Sequence, residues 1–187
     1  MVATPNSIKM IGAKPIFVDV EVETLCVDLE KLKKSLTSKT KAIMLVSANG
    51  RPPLTEINSY LNFAKENNLK IIEDAAQSLG SYYDKDTHIG LKGDIGSFSF
   101  SMPNIITTGQ GGALVTNNDD LANKLRKLKD FGRTAGGSDI HDSIGFNSKF
   151  TEMQAVIGLE QMKKLDFRIK RKKEIWKRYR DNLSTID

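Results

Sequence analysis

The sequence predicts an α/β fold of three layers built on a mostly parallel sheet. Apolar runs of strand length alternate with segments whose apolar residues recur at helical spacing. The runs themselves, such as Ala42-Ile43-Met44-Leu45-Val46, are almost continuously apolar, as in strands covered on both faces. The segments between them are long enough to hold a helix, so successive strands are expected to pair in parallel through right-handed crossovers.

In chain order, residues 15–20 read as a strand. Asp28 then stands where a helix cap belongs, ahead of Leu29, Leu32 and Leu36 on one face. Residues 41–47 form a second apolar strand. Thr55 and Glu56 open a helix that runs to Asn67-Asn68, with Ile57, Tyr60, Leu61 and Ala64 inward, and residues 70–74 form a third strand. The pattern then changes: residues 80–93 are a polar connector, 96–100 a strand, and 112–116 its hairpin-like or neighbouring partner. Asn118 caps a helix over 119–129 with Leu121, Leu125 and Leu128 on one side. Residues 132–149 carry several glycines and no hydrophobic period, which predicts a long loop of the kind that often serves function. A single long helix is expected over 151–182. The chain thus divides into a body, residues 1–150, and a helical arm, residues 151–187, that projects or packs on a partner.

A compact chain of 187 residues can bury roughly 70% of its unfolded surface, enough for a true core. Its 39% hydrophobic and 27% charged content is that of an ordinary globular domain, and its apolar runs are strand-sized rather than membrane-spanning. Cys26 is the only cysteine, so no disulfide forms within the chain, and no signal-peptide pattern is visible, which makes the cytoplasm the expected location. The net charge of +5 is concentrated in Arg168-Ile169-Lys170-Arg171-Lys172-Lys173 and in Lys177, Arg178 and Arg180. Leu159, Met162, Leu165 and Ile169 recur there at three- and four-residue steps, so the charges fill the opposite, solvated face. With 7% aromatics and no nucleic-acid fold signature, no nucleic-acid partner is expected.

Candidate site residues cluster around two segments, Ile71-Ile72-Glu73-Asp74-Ala75-Ala76-Gln77-Ser78 and the stretch from Gly96 to Gly112. An acid ending a strand serves most often as a turn or cap, but Asp74 ends a strand of an open parallel sheet, beyond which such sheets bind ligands. Gln77 follows three residues later, and Ser99 occupies an alternate position of the next strand, where a hydroxyl either faces solvent or serves a site. Gly109, Gly111 and Gly112 feed a strand rather than a helix, so they fit a tight turn better than a phosphate loop. His88 and His141 lack metal-ligand spacing, and no metal is assigned.

These segments resemble the DegT/DnrJ/EryC1/StrS family of sugar aminotransferases. Met1-Val2-Ala3-Thr4-Pro5-Asn6-Ser7-Ile8 is similar to the end of that family's TFVAT-N-I segment, and Gly12-Ala13-Lys14-Pro15-Ile16-Phe17-Val18-Asp19-Val20 to the strand that follows it. Gly145-Phe146-Asn147-Ser148-Lys149-Phe150-Thr151-Glu152-Met153-Gln154-Ala155 resembles the G-N-R-E-QAA stretch, with Lys149 in place of the usual Arg. The resemblance implies the large domain of fold-type I pyridoxal phosphate-dependent transferases. It also implies amino transfer from glutamate to a nucleotide-linked keto-sugar.

In this likeness Asp74 pairs with the cofactor's ring nitrogen, Gln77 meets its phenolic oxygen, and Ser99 binds its phosphate. Asn147 is lent across a dimer to the neighbouring subunit's phosphate, which makes a homo-oligomer the expected state. Asn104 stands at the position of the lysine that attaches the cofactor. An amide nitrogen is neither nucleophilic nor basic, so no covalent attachment and no turnover are expected. The related sugar 3-dehydratases have His there, which Asn does not match either. Met1 stands where the family has an aromatic residue that stacks on the ring. Family members also carry an N-terminal segment with a phosphate loop and a C-terminal small domain that this chain lacks, so the long helix would bridge to a missing domain. The competing expectation is a non-catalytic, self-associating domain.

Overall fold

The computed structural model describes residues 2–184. Its elements run α1 (Ala3–Met10), α2 (Leu29–Ser35), β1 (Ala42–Val46), α3 (Ile57–Glu66), β2 (Lys70–Asp74), β3 (Ile95–Ser99), β4 (Gly112–Val115), α4 (Asp119–Leu128), α5 (Glu152–Met162) and α6 (Leu165–Leu183). The four strands lie in the order β1-β2-β3-β4, with β1 parallel to β2 and β2 parallel to β3. At β4 the sense reverses. Thr116 Oγ1 donates to the Asp94 carbonyl, and Phe100 N donates to the Gly111 carbonyl, so rising numbers on one strand meet falling numbers on the other. The chain therefore has the predicted α/β architecture with a mostly parallel, mixed sheet.

Two compact units make up the chain: residues up to Phe98 together with Ala113–Lys149, and Ser99–Gly112 together with the residues from Phe150 onward. In the first, the sheet and two helices enclose the core. Ile43 and Leu45 of β1 and Ile71 of β2 are buried with Leu29 of α2 and with Ile57, Tyr60, Phe63 and Ala64 of α3. Tyr60 is wholly buried, yet its hydroxyl donates to the Val27 carbonyl at 2.6 Å, which satisfies its one polar group. Asp28 accepts from Lys31 N at the start of α2, and Asn118 accepts from Leu121 N at the start of α4, as their positions predict. Met44, Val46 and Ile72 point to the other sheet face and are only half-buried.

The second unit packs α5 and α6 around the loop 99–112. The Phe100 and Phe150 rings stand edge to face with centroids 6.3 Å apart, Gln154 Nε2 donates to the Gln110 carbonyl, and Arg168 Nη1 donates to the Ile105 carbonyl at 2.8 Å. Thr151 and Gln154 form a reciprocal capping box that starts α5.

Two expectations fail. Residues 15–20 form no strand: among the described residues they pair only through a bridge between Val20 and Val27, and Ile16 and Phe17 are exposed. The composition suits a strand, but a strand needs a neighbour to bond with. The expected single helix over 151–182 is two helices. Lys164 departs from ideal α-helical values, at φ −99° and ψ 0°, and its N–H bonds the Gln161 carbonyl three residues back. That tightened turn ends α5 and restarts the ladder as α6, without a glycine or proline to mark it. Over α6 the chain carries eight Lys and Arg against three Asp and Glu, and Phe167, Trp176 and Tyr179 are exposed.

Candidate functional site

Asp74 is the last residue of β2, opposite Val46 on β1 and Ser97 on β3. Alternation along the strand sends it to the half-buried face, away from the α2–α3 core, while its neighbour Glu73 points the other way. Both Asp74 oxygens are engaged: Thr4 Oγ1 donates to Oδ2 at 2.6 Å and Ala76 N donates to Oδ1 at 3.2 Å. The carboxylate is thereby fixed in orientation, with lone pairs left for a third donor.

Gln77 follows on the turn beyond β2 and is exposed. Its Oε1 accepts from Asn49 N at 2.9 Å. Asn49 and Gly50 form the turn after β1, both with positive φ, at 55° and 74°.

In the second unit Ser99 ends β3, and Asn104 lies on the loop that follows. Asn104 Nδ2 donates to Ser99 Oγ at 2.8 Å and to Ser101 Oγ at 3.1 Å, while the two hydroxyls are 2.9 Å apart. The predicted phosphate hydroxyl and the lysine position are therefore bonded to each other. Only one of the two hydroxyl protons is used within the pair, so the cluster keeps one O–H to donate outward.

Asn147 is exposed in the loop before α5, held by a backbone bridge to Asp130. Lys149 bonds Asp130 at 2.6 Å and stands over the Phe131 ring at 4.5 Å. Among the described residues no hydrogen bond links Asn147 to Asp74 or Gln77. Met1, the expected position of a stacking residue, lies outside the described residues. His88 serves the connector between β2 and β3: its Nε2 accepts from Gly80 N at 2.8 Å. No group of three or more metal-ligating side chains occurs among the described residues. No helix among them is long and apolar enough to cross a membrane.

Four participants escaped the sequence reading. Ser101 lies just past the end of β3, where strand alternation no longer assigns a face, so its place beside Ser99 was not written in the local pattern. Asn49-Gly50 could have been read as a turn, though not as a partner of Gln77. Thr4 left no signal, since its bond to Asp74 spans 70 residues of sequence.

The profile of the DegT/DnrJ/EryC1/StrS aminotransferase family matches residues 1–187. The chain is 40% identical over 185 residues to GDP-perosamine synthase of Escherichia coli O157:H7, covering 99% of this chain and 50% of that protein. It superimposes with a TM-score of 0.92 on the crystal structure of the aminotransferase TlmJ from Streptoalloteichus hindustanus, at 30% identity, covering 100% of this chain and 50% of that one. A GDP-4-keto-6-deoxy-D-mannose-3-dehydratase of E. coli with bound hydrated PLP matches with a TM-score of 0.84 at 25% identity, over 96% of this chain and 50% of that one. The chain thus spans about half the length of the relatives it matches. On the match over residues 1–187, this chain belongs to the DegT/DnrJ/EryC1/StrS aminotransferase family.

Proposed function

We propose that this chain provides part of a pyridoxal phosphate site for amino transfer from glutamate to a nucleotide-linked keto-sugar, and that with Asn at position 104 it does not turn over. The observation that carries the reading is Asp74. It is a half-buried carboxylate at the carboxyl end of a parallel strand, held by two donors and left able to take a third. When bound, the cofactor supplies an electron-withdrawing ring that stabilises negative charge on the carbon bearing the amino group.

The residues present fit that group in part. Asp74 would hold a proton on the ring nitrogen, Gln77 would donate its amide to the phenolic oxygen, and the Ser99–Ser101 pair would donate its free hydroxyl proton to phosphate. Covalent attachment does not fit, because the Asn104 amide has no nucleophilic nitrogen and already bonds Ser99 and Ser101. Asn147 is assigned to the phosphate of a neighbouring subunit in a homo-oligomer. The exposed Met153, Val156 and Leu159 of α5 support such an assembly. A nucleotide sugar, glutamate and a cytoplasmic setting complete the proposal, drawn from the family and from what the relatives are named for.

Titration with pyridoxamine 5′-phosphate tests it: saturable binding that Asp74→Asn weakens is the expected result. Borohydride treatment in the presence of pyridoxal phosphate should leave residue 104 unmodified. Absence of any binding, or turnover of a keto-sugar with glutamate, overturns the corresponding half. A second reading, a folded, self-associating domain without catalysis, draws support from the same Asn104 bonds, and the titration separates the two.

A further inference from the structure

We infer that the turn after β1, Asn49-Gly50, is a positioning element that fixes the amide of Gln77 with its nitrogen outward, so that Gln77 meets a ligand as a donor only. The inference rests on the assignment of Gln77 to the cofactor's phenolic oxygen.

The orientation of a glutamine amide follows from what faces it. Here the facing group is the Asn49 backbone N–H, which can only donate, so the atom 2.9 Å away must be the amide oxygen. The NH2 group is then the free end and has no acceptor among the described residues. It suits an anionic oxygen, and it would repel another donor. An unrestrained amide at this exposed site could turn either end to a ligand, and ordering it would cost side-chain entropy at the moment of binding.

The turn can aim that N–H only in an unusual backbone state. Asn49 and Gly50 both adopt positive φ, a state open to Asn and Gly and strained for most other residues. Gly50 also lies close against Gln77 itself. A Cβ there would stand 2.7 Å from the Gln77 carbonyl oxygen and 3.1 Å from Ser81 Oγ. A side chain at position 50 would therefore push the turn away from Gln77 as well as strain it. The Asn49 side chain makes no hydrogen bond among the described residues; its backbone does the positioning.

The test combines amide hydrogen exchange by NMR with ligand titration, on the whole chain. In the unliganded protein the Asn49 amide should exchange about tenfold faster in Gln77→Ala than in wild type, the loss expected for one hydrogen bond, and Gly50→Ala should show the same acceleration. Asn49→Gly, which keeps positive φ and the backbone N–H, should stay slow. In the titration, wild type and Asn49→Gly should prefer pyridoxamine 5′-phosphate over its 3-deoxy analogue by about tenfold, and Gly50→Ala and Gln77→Ala should bind the two alike. An Asn49 amide that exchanges equally in wild type and Gln77→Ala overturns the inference. So does a Gly50→Ala protein that keeps the ligand preference. A slow Asn49 amide released in both variants, with no ligand binding to wild type, upholds the orientation of Gln77 while sinking the cofactor assignment on which its use depends.

Discussion

Glu73 and Asp74 are adjacent, chemically alike and opposite in fate. Glu73 points into the closed face and is wholly buried; its carboxylate accepts from the Tyr83 hydroxyl, from Gly90 N and Lys92 N, and from Gly93 N. Burial, and then the Glu73 charge, push the Tyr83 phenol well above its usual range, so it stays a donor. Four donors leave Glu73 little room for another ligand, and all four come from residues 83–93, which it ties to the sheet. Asp74 takes two donors among the described residues, lies half-buried, and keeps capacity. One carboxylate is spent on the fold and the other is held available, and a single step along a strand decides which is which.

The comparison can be broken most sharply at Glu73. Glu73→Ala should cost about 3–5 kcal/mol, because it strands buried donors around a cavity; urea unfolding with an unchanged m-value checks this. Asp74→Asn should cost under about 1 kcal/mol in the same measurement yet weaken pyridoxamine 5′-phosphate by roughly tenfold or more, the loss of a charge-assisted bond. Equal stability losses for the two would erase the distinction. Thr4→Val removes a donor to Asp74 and should cost about 1 kcal/mol, with Thr4→Ser near wild type.

The smallest effect is expected at Asp94, where β3 begins. Burial pulls its carboxyl up, but the Lys70 ammonium and the Ile71 N–H outweigh that and hold it below the usual range. A carboxyl depressed on folding stabilises above its unfolded value, near 3.9, and that contribution fades as the pH falls through its folded one. Asp94→Asn should thus be less stable than wild type at pH 7, by about 0.5–1 kcal/mol, with the gap narrowing below about pH 4. A gap independent of pH would show that the charge is not what matters there.

What the sequence disclosed was local. The caps at Asp28 and Asn118, the inward face of α3 and the end of β2 at Asp74 are each written in a few consecutive residues, through spacing or side-chain reach. What it concealed was tertiary. Residues 15–20 have strand composition, but pairing is decided by neighbours that composition does not name. The turn at Lys164 lies within an unbroken apolar period, so the register that predicted α5 and α6 as one helix gave no warning. Glu73 and Asp74 form a strand-end pair of acids whose roles depend on which donors lie on each face; those of Glu73 sit 10 to 20 residues downstream, and the side-chain donor of Asp74 sits 70 upstream.

The charge on α6 has a consequence for the chain's behaviour as an electrolyte. Its excess of five basic residues equals the net charge of the whole chain, so everything outside that helix sums to neutrality. The net charge is then carried by one segment of the chain rather than spread evenly along it. On a cation exchanger it would be retained through a single helix. With a screening length of about 8 Å at physiological salt, that retention would depend steeply on ionic strength.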